Sequence, residues 1–227
     1  MDLKLKGHNV LVTGGTKGIG RAIVEVLSDE GCNIALCARN ADDVNAAVEA
    51  ISAKGVKVVG QQLDVGDGDA FKSWIAAAGE ELGGLDAYVS NVSGSNAPGD
   101  AGWQSHFDYN IMSAVRGVEA CMPFFEKSEN PSVVMISTTA ALEHFINAGP
   151  YNAMKAGLLN YSGALAQEIG AKGIRVNAIS PGPIFIDGGS WDKIKQGMTA
   201  FYDSTVAQIP LGRMGTAEEV AAQAALL

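Results

Sequence analysis

Cysteine is scarce in this chain of 227 residues. Cys32, Cys37 and Cys121 show neither paired spacing nor a metal-ligand pattern, which excludes a disulfide framework and a zinc cluster. They read as small buried thiols in a reducing, cytoplasmic setting. Positive charge is also short. Sixteen Lys and Arg against 25 Asp and Glu leave a net charge of -9, the wrong sign for a protein whose main partner is nucleic acid. No apolar run approaches the roughly 20 residues that a membrane helix needs. Met1 to Gly7 carries Lys4 and Lys6 but no apolar stretch before a cleavage site, so no signal peptide is expected. Linkers, internal repeats and low-complexity tracts are missing too. What remains is one acidic chain, 47% hydrophobic, with enough apolar mass for a single large α/β domain.

Strand-like apolar runs alternate with helix-like stretches, the pattern of a doubly wound parallel sheet with helices on both faces. Asn9 to Thr13 predicts the first strand, and Gly18 to Glu30 a helix with Ile23, Val24 and Leu27 on one face. Further strands are expected at Asn33 to Ala38, Val56 to Gln61, Leu85 to Asn91, Val133 to Ser137 and Ile174 to Ser180. Further helices are expected at Ala41 to Lys54, about Ala101 to Met122 and about Tyr151 to Gly170. From Pro181 to about Pro210 the alternation breaks. This stretch predicts a substrate loop or lid on the same domain.

Between the first strand and first helix lies Thr13-Gly14-Gly15-Thr16-Lys17-Gly18-Ile19-Gly20. Glycine lets the backbone turn tightly and approach a pyrophosphate, and the helix N-terminus offers unpaired N–H groups and a favourable dipole to the anion. The spacing Gly14, Gly18, Gly20 differs from G-x-G-x-x-G. Downstream, Tyr151 and Lys155 are four apart on a predicted helix and share a face. A free tyrosine, with a pKa of about 10, is a poor base near neutrality, and a nearby ammonium favours the phenolate.

The glycine loop resembles the T-G-x-x-x-G-x-G of the short-chain dehydrogenase/reductase family, and the Tyr-x-x-x-Lys pair some 130 residues later fits the same family. Asn91, in Val89-Ser90-Asn91-Val92-Ser93-Gly94, resembles the family's N-N-A-G segment. Asn110 matches the asparagine that holds a helix irregularity and a water of the proton relay. Pro181-Gly182 matches the P-G that packs at the nicotinamide. The resemblance covers nearly the whole chain. It implies a single-domain Rossmann fold, residues 1–227, that binds a dinucleotide through Gly14, Thr16, Lys17, Gly18, Ile19, Gly20, Asn91, Pro181, Gly182 and Ile184.

It also implies the chemistry. The cofactor exchanges a hydride with a carbonyl or carbinol carbon. Tyr151 moves the proton, and Lys155 lowers the tyrosine pKa and binds the nicotinamide ribose. Asn110 supports the water chain, and a hydroxyl at the end of the fifth strand holds the substrate oxygen. Asp64 and Val65 resemble the adenine-contacting pair. The second strand ends Cys37-Ala38-Arg39-Asn40, with no carboxylate to accept from a 2′-OH. Arg39 has a planar fork for a 2′-phosphate and Lys17 adds a second cation, so NADP(H) is the expected cofactor. No metal is expected.

The sequence departs from the family at several points. The family's serine lies 13 residues before the tyrosine; here that position is Thr138, with Ser137 beside it. Adjacent strand residues face opposite ways, so the spacing favours Thr138, whereas a bulge would bring Ser137 into place. Ile186 stands where many relatives have a carboxamide-binding threonine, leaving that task to the backbone of Pro183 and Ile184. The chain ends in an alanine-rich helical pattern, where family members continue through a further strand; that strand is expected to be missing here.

A ketone or 3-oxoacyl reductase is the leading expectation. A sugar or alcohol dehydrogenase working in the oxidative direction, or a nucleotide-sensing protein without enzymatic activity, are the alternatives. An acyl carrier would need a basic docking patch, which an acidic chain with few clustered cations does not advertise. Phe145, Ile146, Phe185, Trp191, Met198, Phe201 and Tyr202 are expected around the substrate, with Glu143 and His144 near the fifth-strand end. Relatives form homodimers and homotetramers. Ala114, Gly117, Ala156 and Gly163 predict a second helix face of small residues on which copies of this chain would pack.

Overall fold

A computed structural model describes residues 2–144 and 148–227. Among the described residues, six parallel strands form one sheet: β1 (Asn9–Thr13), β2 (Asn33–Ala38), β3 (Val58–Gln62), β4 (Ala87–Ser90), β5 (Ser132–Ile136) and β6 (Arg175–Ile179). Their order is β3-β2-β1-β4-β5-β6. The helices are α1 (Gly18–Asp29), α2 (Ala41–Ser52), α3 (Gly68–Leu82), α4 (Asp100–His106), α5 (Ser113–Phe125), α6 (Pro150–Ile169), α7 (Ser190–Gly197), α8 (Thr199–Gln208) and α9 (Ala217–Leu226).

The apolar runs are continuous because the central strands are buried on both faces. Leu11, Ala35, Cys37, Tyr88, Val133 and Met135 pack against α3, α5 and α6. The alternate residues Val10, Val12, Ile34, Leu36, Val134 and Ile136 pack against α1, α2 and α9. In-register pairing, such as Val12 with Leu36 and with Val89, brings the carboxyl ends of the strands level. The order reverses between β1 and β4, and the crevice above that switch point is where such sheets bind ligands.

Three expectations need correction. The pattern from about Ala101 to Met122 is not one helix: a π-helical segment, Phe107–Met112, separates α4 from α5 and contains Asn110, where the family resemblance implied an irregularity. The 181–210 stretch, expected as a substrate loop or lid without regular elements of its own, carries α7 and α8, set off by Gly188, Gly189 and Gly197. Ala114 and Gly117 face the core, not a second surface. A Cβ on Gly117 would run into the Tyr88 ring, so α5 needs glycine there to lie close on β4. α3 also fills a stretch with no predicted element, started by the Asp67 carboxylate, which accepts from the Ala70 amide at 3.1 Å.

Candidate active site

The glycine loop is pinned from both sides. The Asn91 amide N–H donates to Thr13 Oγ1 at 3.0 Å, and Asn91 Nδ2 donates to the Thr13 carbonyl at 3.1 Å. Gly14 has φ +66°, a conformation that costs glycine little. A Cβ on Gly20 would collide with the Gly14 carbonyl, so strand end and helix start can touch only without one. Lys17, the N-cap of α1, supplies no side-chain cap, which leaves first-turn amides to bind an anion.

Beside this loop is a cavity of about 380 Å³ lined by Gly14, Thr16, Lys17, Arg39, Asp64 and Val65. Asp43 and Tyr109 also line it, and neither was flagged by the sequence. Asp43 sits there because Asn40 caps α2 by accepting from the Asp43 amide at 2.9 Å. Its carboxylate pairs with Lys17 Nζ at 2.6 Å, while Arg39 forms no ion pair among the described residues. Asp64 accepts from the Gly66 amide at 2.9 Å and from the Tyr109 hydroxyl at 2.8 Å. These groups fit an adenine dinucleotide: backbone amides for a pyrophosphate, a carboxylate beside an apolar wall for adenine, and exposed cations at the ribose end.

A second cleft of about 280 Å³ continues past Ile19 and Asn91 to Ser137, Thr138, Tyr151, Lys155, Pro181, Gly182 and Ile184. It opens into a smaller space of about 150 Å³ lined by Thr138, Thr139, Ala140, Tyr151, Gly182, Pro183 and Trp191. Pro150 at the first turn of α6 starts the helix that carries Tyr151 and Lys155 one turn apart. Lys155 is 3% exposed and its Nζ donates to the Ile136 carbonyl at 2.5 Å. Burial pulls its pKa down to about 8.

The two neighbouring hydroxyls differ. Ser137 continues the β5 side that faces α6, and its Oγ donates to the Lys155 carbonyl at 3.0 Å. Thr138 faces both cleft and side space. Its Oγ1 accepts from the Ala140 amide at 3.3 Å, so its hydrogen is left to donate. The strand end is held by the Ser137 amide on the Ile179 carbonyl (2.7 Å) and the Thr139 amide on the Pro181 carbonyl (2.9 Å).

Asn110 is buried one turn from His106, which the sequence reading did not single out. The Gly94 amide donates to Asn110 Oδ1 at 3.2 Å, and Asn110 Nδ2 lies 3.0 Å from His106 Nδ1. Pro183 and Phe185 bridge to Gly215 through the Pro183 carbonyl and the Phe185 amide. Peptide groups alternate in direction, so the Ile184 amide and carbonyl point away from that bridge. Ile186 lies against the glycine loop, its Cδ1 3.2 Å from where a Gly18 Cβ would stand.

Of the predicted aromatic set, Trp191 lines the cleft and stacks on Phe201 at 6.1 Å. Phe185 and Tyr202 instead flank the Lys195 ammonium, 5.3 and 5.6 Å from their ring centres. Met198 is exposed, as are Glu143 and His144. Phe145 and Ile146 lie outside the described residues.

The sequence profile described as Enoyl-(acyl carrier protein) reductase matches residues 14–227. Isoepoxydon dehydrogenase of Penicillium expansum is 35% identical over 98% of this chain and 88% of its own. The 3-oxoacyl-[acyl-carrier-protein] reductase of Chlamydia muridarum is 31% identical over 100% of this chain and 92% of its own. The crystal structure of L-sorbose reductase from Gluconobacter frateurii, complexed with NADPH and L-sorbose, superposes with a TM-score of 0.91 at 27% identity, covering 100% of this chain and 91% of that one. These matches set aside the nonenzymatic alternative. With its Rossmann-type sheet and dinucleotide crevice, the chain belongs to the short-chain dehydrogenase/reductase family and is an oxidoreductase acting on CH–OH or C=O groups.

Proposed function

We propose that this protein is an NADP(H)-dependent reductase of a ketone or 3-oxoacyl carbonyl, built as one catalytic unit. The observation that carries this reading is the meeting of Thr138, Tyr151 and Lys155 in the cleft that continues from the glycine loop. When bound, NADPH supplies the hydride. The Tyr151 hydroxyl gives its proton to the carbonyl oxygen, and the Thr138 hydroxyl donates a hydrogen bond to the same oxygen as negative charge develops there. Lys155, freed from the Ile136 carbonyl, holds the nicotinamide ribose and supports the tyrosine electrostatically. The Ile184 backbone holds the carboxamide, and Asn110 anchors the water chain that returns the proton.

Arg39 and Lys17 favour the 2′-phosphate, although Asp43 already engages Lys17, so Arg39 carries most of the discrimination. The test is a titration of wild type and Arg39→Ala with NADPH and NADH by nicotinamide fluorescence, followed by a panel of ketones, 3-oxoacyl thioesters, sugars and alcohols read by NADPH absorbance. Wild type is expected to bind NADPH more tightly, and Arg39→Ala to lose NADPH affinity far more than NADH affinity. Equal losses would reject the cofactor assignment. Turnover confined to sugars or alcohols with NADP⁺ would favour an oxidative dehydrogenase.

A further inference from the structure

One buried polar cluster adjoins the site without lining any of the three spaces described above. His106, the last residue of α4, and Asn110 are each 1% exposed. The hydrogen at Gly94 fixes how they are arranged. A backbone amide can only donate, so the Asn110 atom facing it at 3.2 Å is the oxygen. The Asn110 NH₂ then faces His106 Nδ1 at 3.0 Å, and Nδ1 must carry a lone pair. The neutral ring therefore keeps its proton on Nε2, 3.0 Å from Asn96 Oδ1. The loop that supplies Gly94 and Asn96 is tied down by the Ser95 amide on Ser105 Oγ at 2.9 Å. It lies so close that a Cβ on Gly94 would stand 2.6 Å from His106 Cα. On its other side the ring meets Tyr151 edge to face, with centres 5.7 Å apart.

We propose that neutral His106, with its proton on Nε2, is a positioning residue that holds the Tyr151 ring and the Asn110 amide in their working arrangement, and that a second proton on the ring undoes it. This rests on Tyr151 being the proton carrier. A proton on Nδ1 would face the Asn110 NH₂, donor to donor. Turning the Asn110 amide over would satisfy the ring but set NH₂ against the Gly94 N–H. No arrangement of these groups pairs all of them once the ring is charged. Among the described residues, the titratable groups facing the ring are Tyr151 and Lys155 on α6, and the loop brings the uncharged Asn96. Burial and the Lys155 ammonium hold the His106 pKa below the usual histidine range, so the neutral form prevails at neutral pH.

The test compares wild type with His106→Phe, His106→Asn and Asn96→Asp. NMR of the imidazole, assigned by its loss in His106→Phe, reads tautomer and titration without any turnover. It is expected to show Nε2–H. His106→Phe keeps a ring beside Tyr151 but neither hydrogen bond, and is expected to lower kcat roughly tenfold or more with substrate KM within about twofold. His106→Asn restores an acceptor for Asn110 and is expected to recover most of that loss. Asn96→Asp sets a carboxylate on Nε2–H and favours the charged ring. It should move the NMR midpoint and the acid limb of kcat upward together, by about one pH unit. An Nδ1–H tautomer, an unchanged kcat in His106→Phe, or an acid limb that stays put while the NMR midpoint moves would each overturn the proposal. Failure of the underlying reading looks different: Tyr151→Phe would stay active whatever His106 does.

Discussion

Ser137 and Thr138 are neighbours with the same functional group, yet the fold uses their hydroxyls differently. The Ser137 hydroxyl is committed to the Lys155 carbonyl, whereas Thr138 keeps a donor at the cleft. Thr138→Val preserves shape and is expected to lower kcat roughly 10²–10³-fold, the usual cost of losing a donor to a developing oxyanion. Ser137→Ala should leave kcat nearly unchanged and cost about 1 kcal/mol of stability, because a buried carbonyl loses its partner. Steady-state kinetics with denaturant unfolding checks both, and reversed results would make Ser137 the catalytic hydroxyl. Tyr151→Phe should abolish turnover while NADPH binding, followed by fluorescence, stays near wild type. Lys155 presents a conflict between stability and function. It is a buried ammonium with a pKa near 8 against the usual 10.5. Below about pH 8 both folded and unfolded chains hold the proton, and the folded state bears the full burial penalty. As pH rises from about 8 toward 10.5 the folded chain releases its proton first, so stability should increase across that window. Lys155→Met should remove this rise and add about 1–4 kcal/mol at neutral pH, since an apolar side chain replaces a buried charge. The same variant should lose turnover. A wild-type unfolding profile that is flat or falling in this window would contradict the buried-ammonium account.

Helix α9 shows how a distant cap bears on the cofactor end of the molecule. Thr216 accepts from the Glu219 amide at 3.3 Å and the Glu219 carboxylate accepts from the Thr216 amide at 2.9 Å, a reciprocal box that starts α9. α9 buries Ala217, Ala221 and Ala224 in the core cluster that includes α1, whose N-terminus faces the glycine loop. Thr216→Ala is expected to cost about 1 kcal/mol in thermal or denaturant unfolding, because the Glu219 amide loses its acceptor while the Glu219 carboxylate keeps the residue 216 amide and Arg213. No change in stability would mean that the box adds nothing. The order of strands and helices was legible because each central strand is apolar on both sides and each glycine or capping residue punctuates the chain. The glycine loop, Tyr151 and Lys155 were legible because their spacing is local. The break at Phe107–Met112 leaves no mark in the hydrophobic pattern, since a π-helical segment keeps that pattern and adds only a small phase shift; the resemblance at Asn110 alone pointed to an irregularity there. Asp43, Tyr109 and His106 were invisible for another reason. They reach the site through contacts across 26 to 45 positions of chain, Asp43 on Lys17, Tyr109 on Asp64 and His106 on Tyr151, and no spacing rule encodes such contacts.

An acidic chain of net charge -9 repels its own copies at long range, so self-association needs an uncharged face. One face meets that requirement. Trp103 and Phe107 are 46% and 41% exposed on successive turns of the α4 stretch. Beside them α6 exposes Ala153, Gly157, Asn160 and Ala164, a stripe without charge and almost without side chain, against which a bulky aromatic from a second copy can lie flat. Of the small residues first expected at a contact, Gly163 is exposed on α6 and Ala156 is half-buried, while Ala114 and Gly117 are spent inside the fold. We therefore expect a homodimer or homotetramer at micromolar concentration by sedimentation. Trp103→Glu combined with Ala164→Glu places like charge on both halves of the face and should shift the protein toward monomer. Neither residue lines the cofactor cavity or the catalytic cleft, so the monomer should still bind NADPH. A wild-type protein that sediments as a monomer would sink this expectation. A double variant that keeps its assembly would show that the copies meet elsewhere. Loss of NADPH binding together with assembly would mean that packing between copies also holds α6, and with it Tyr151 and Lys155, in place.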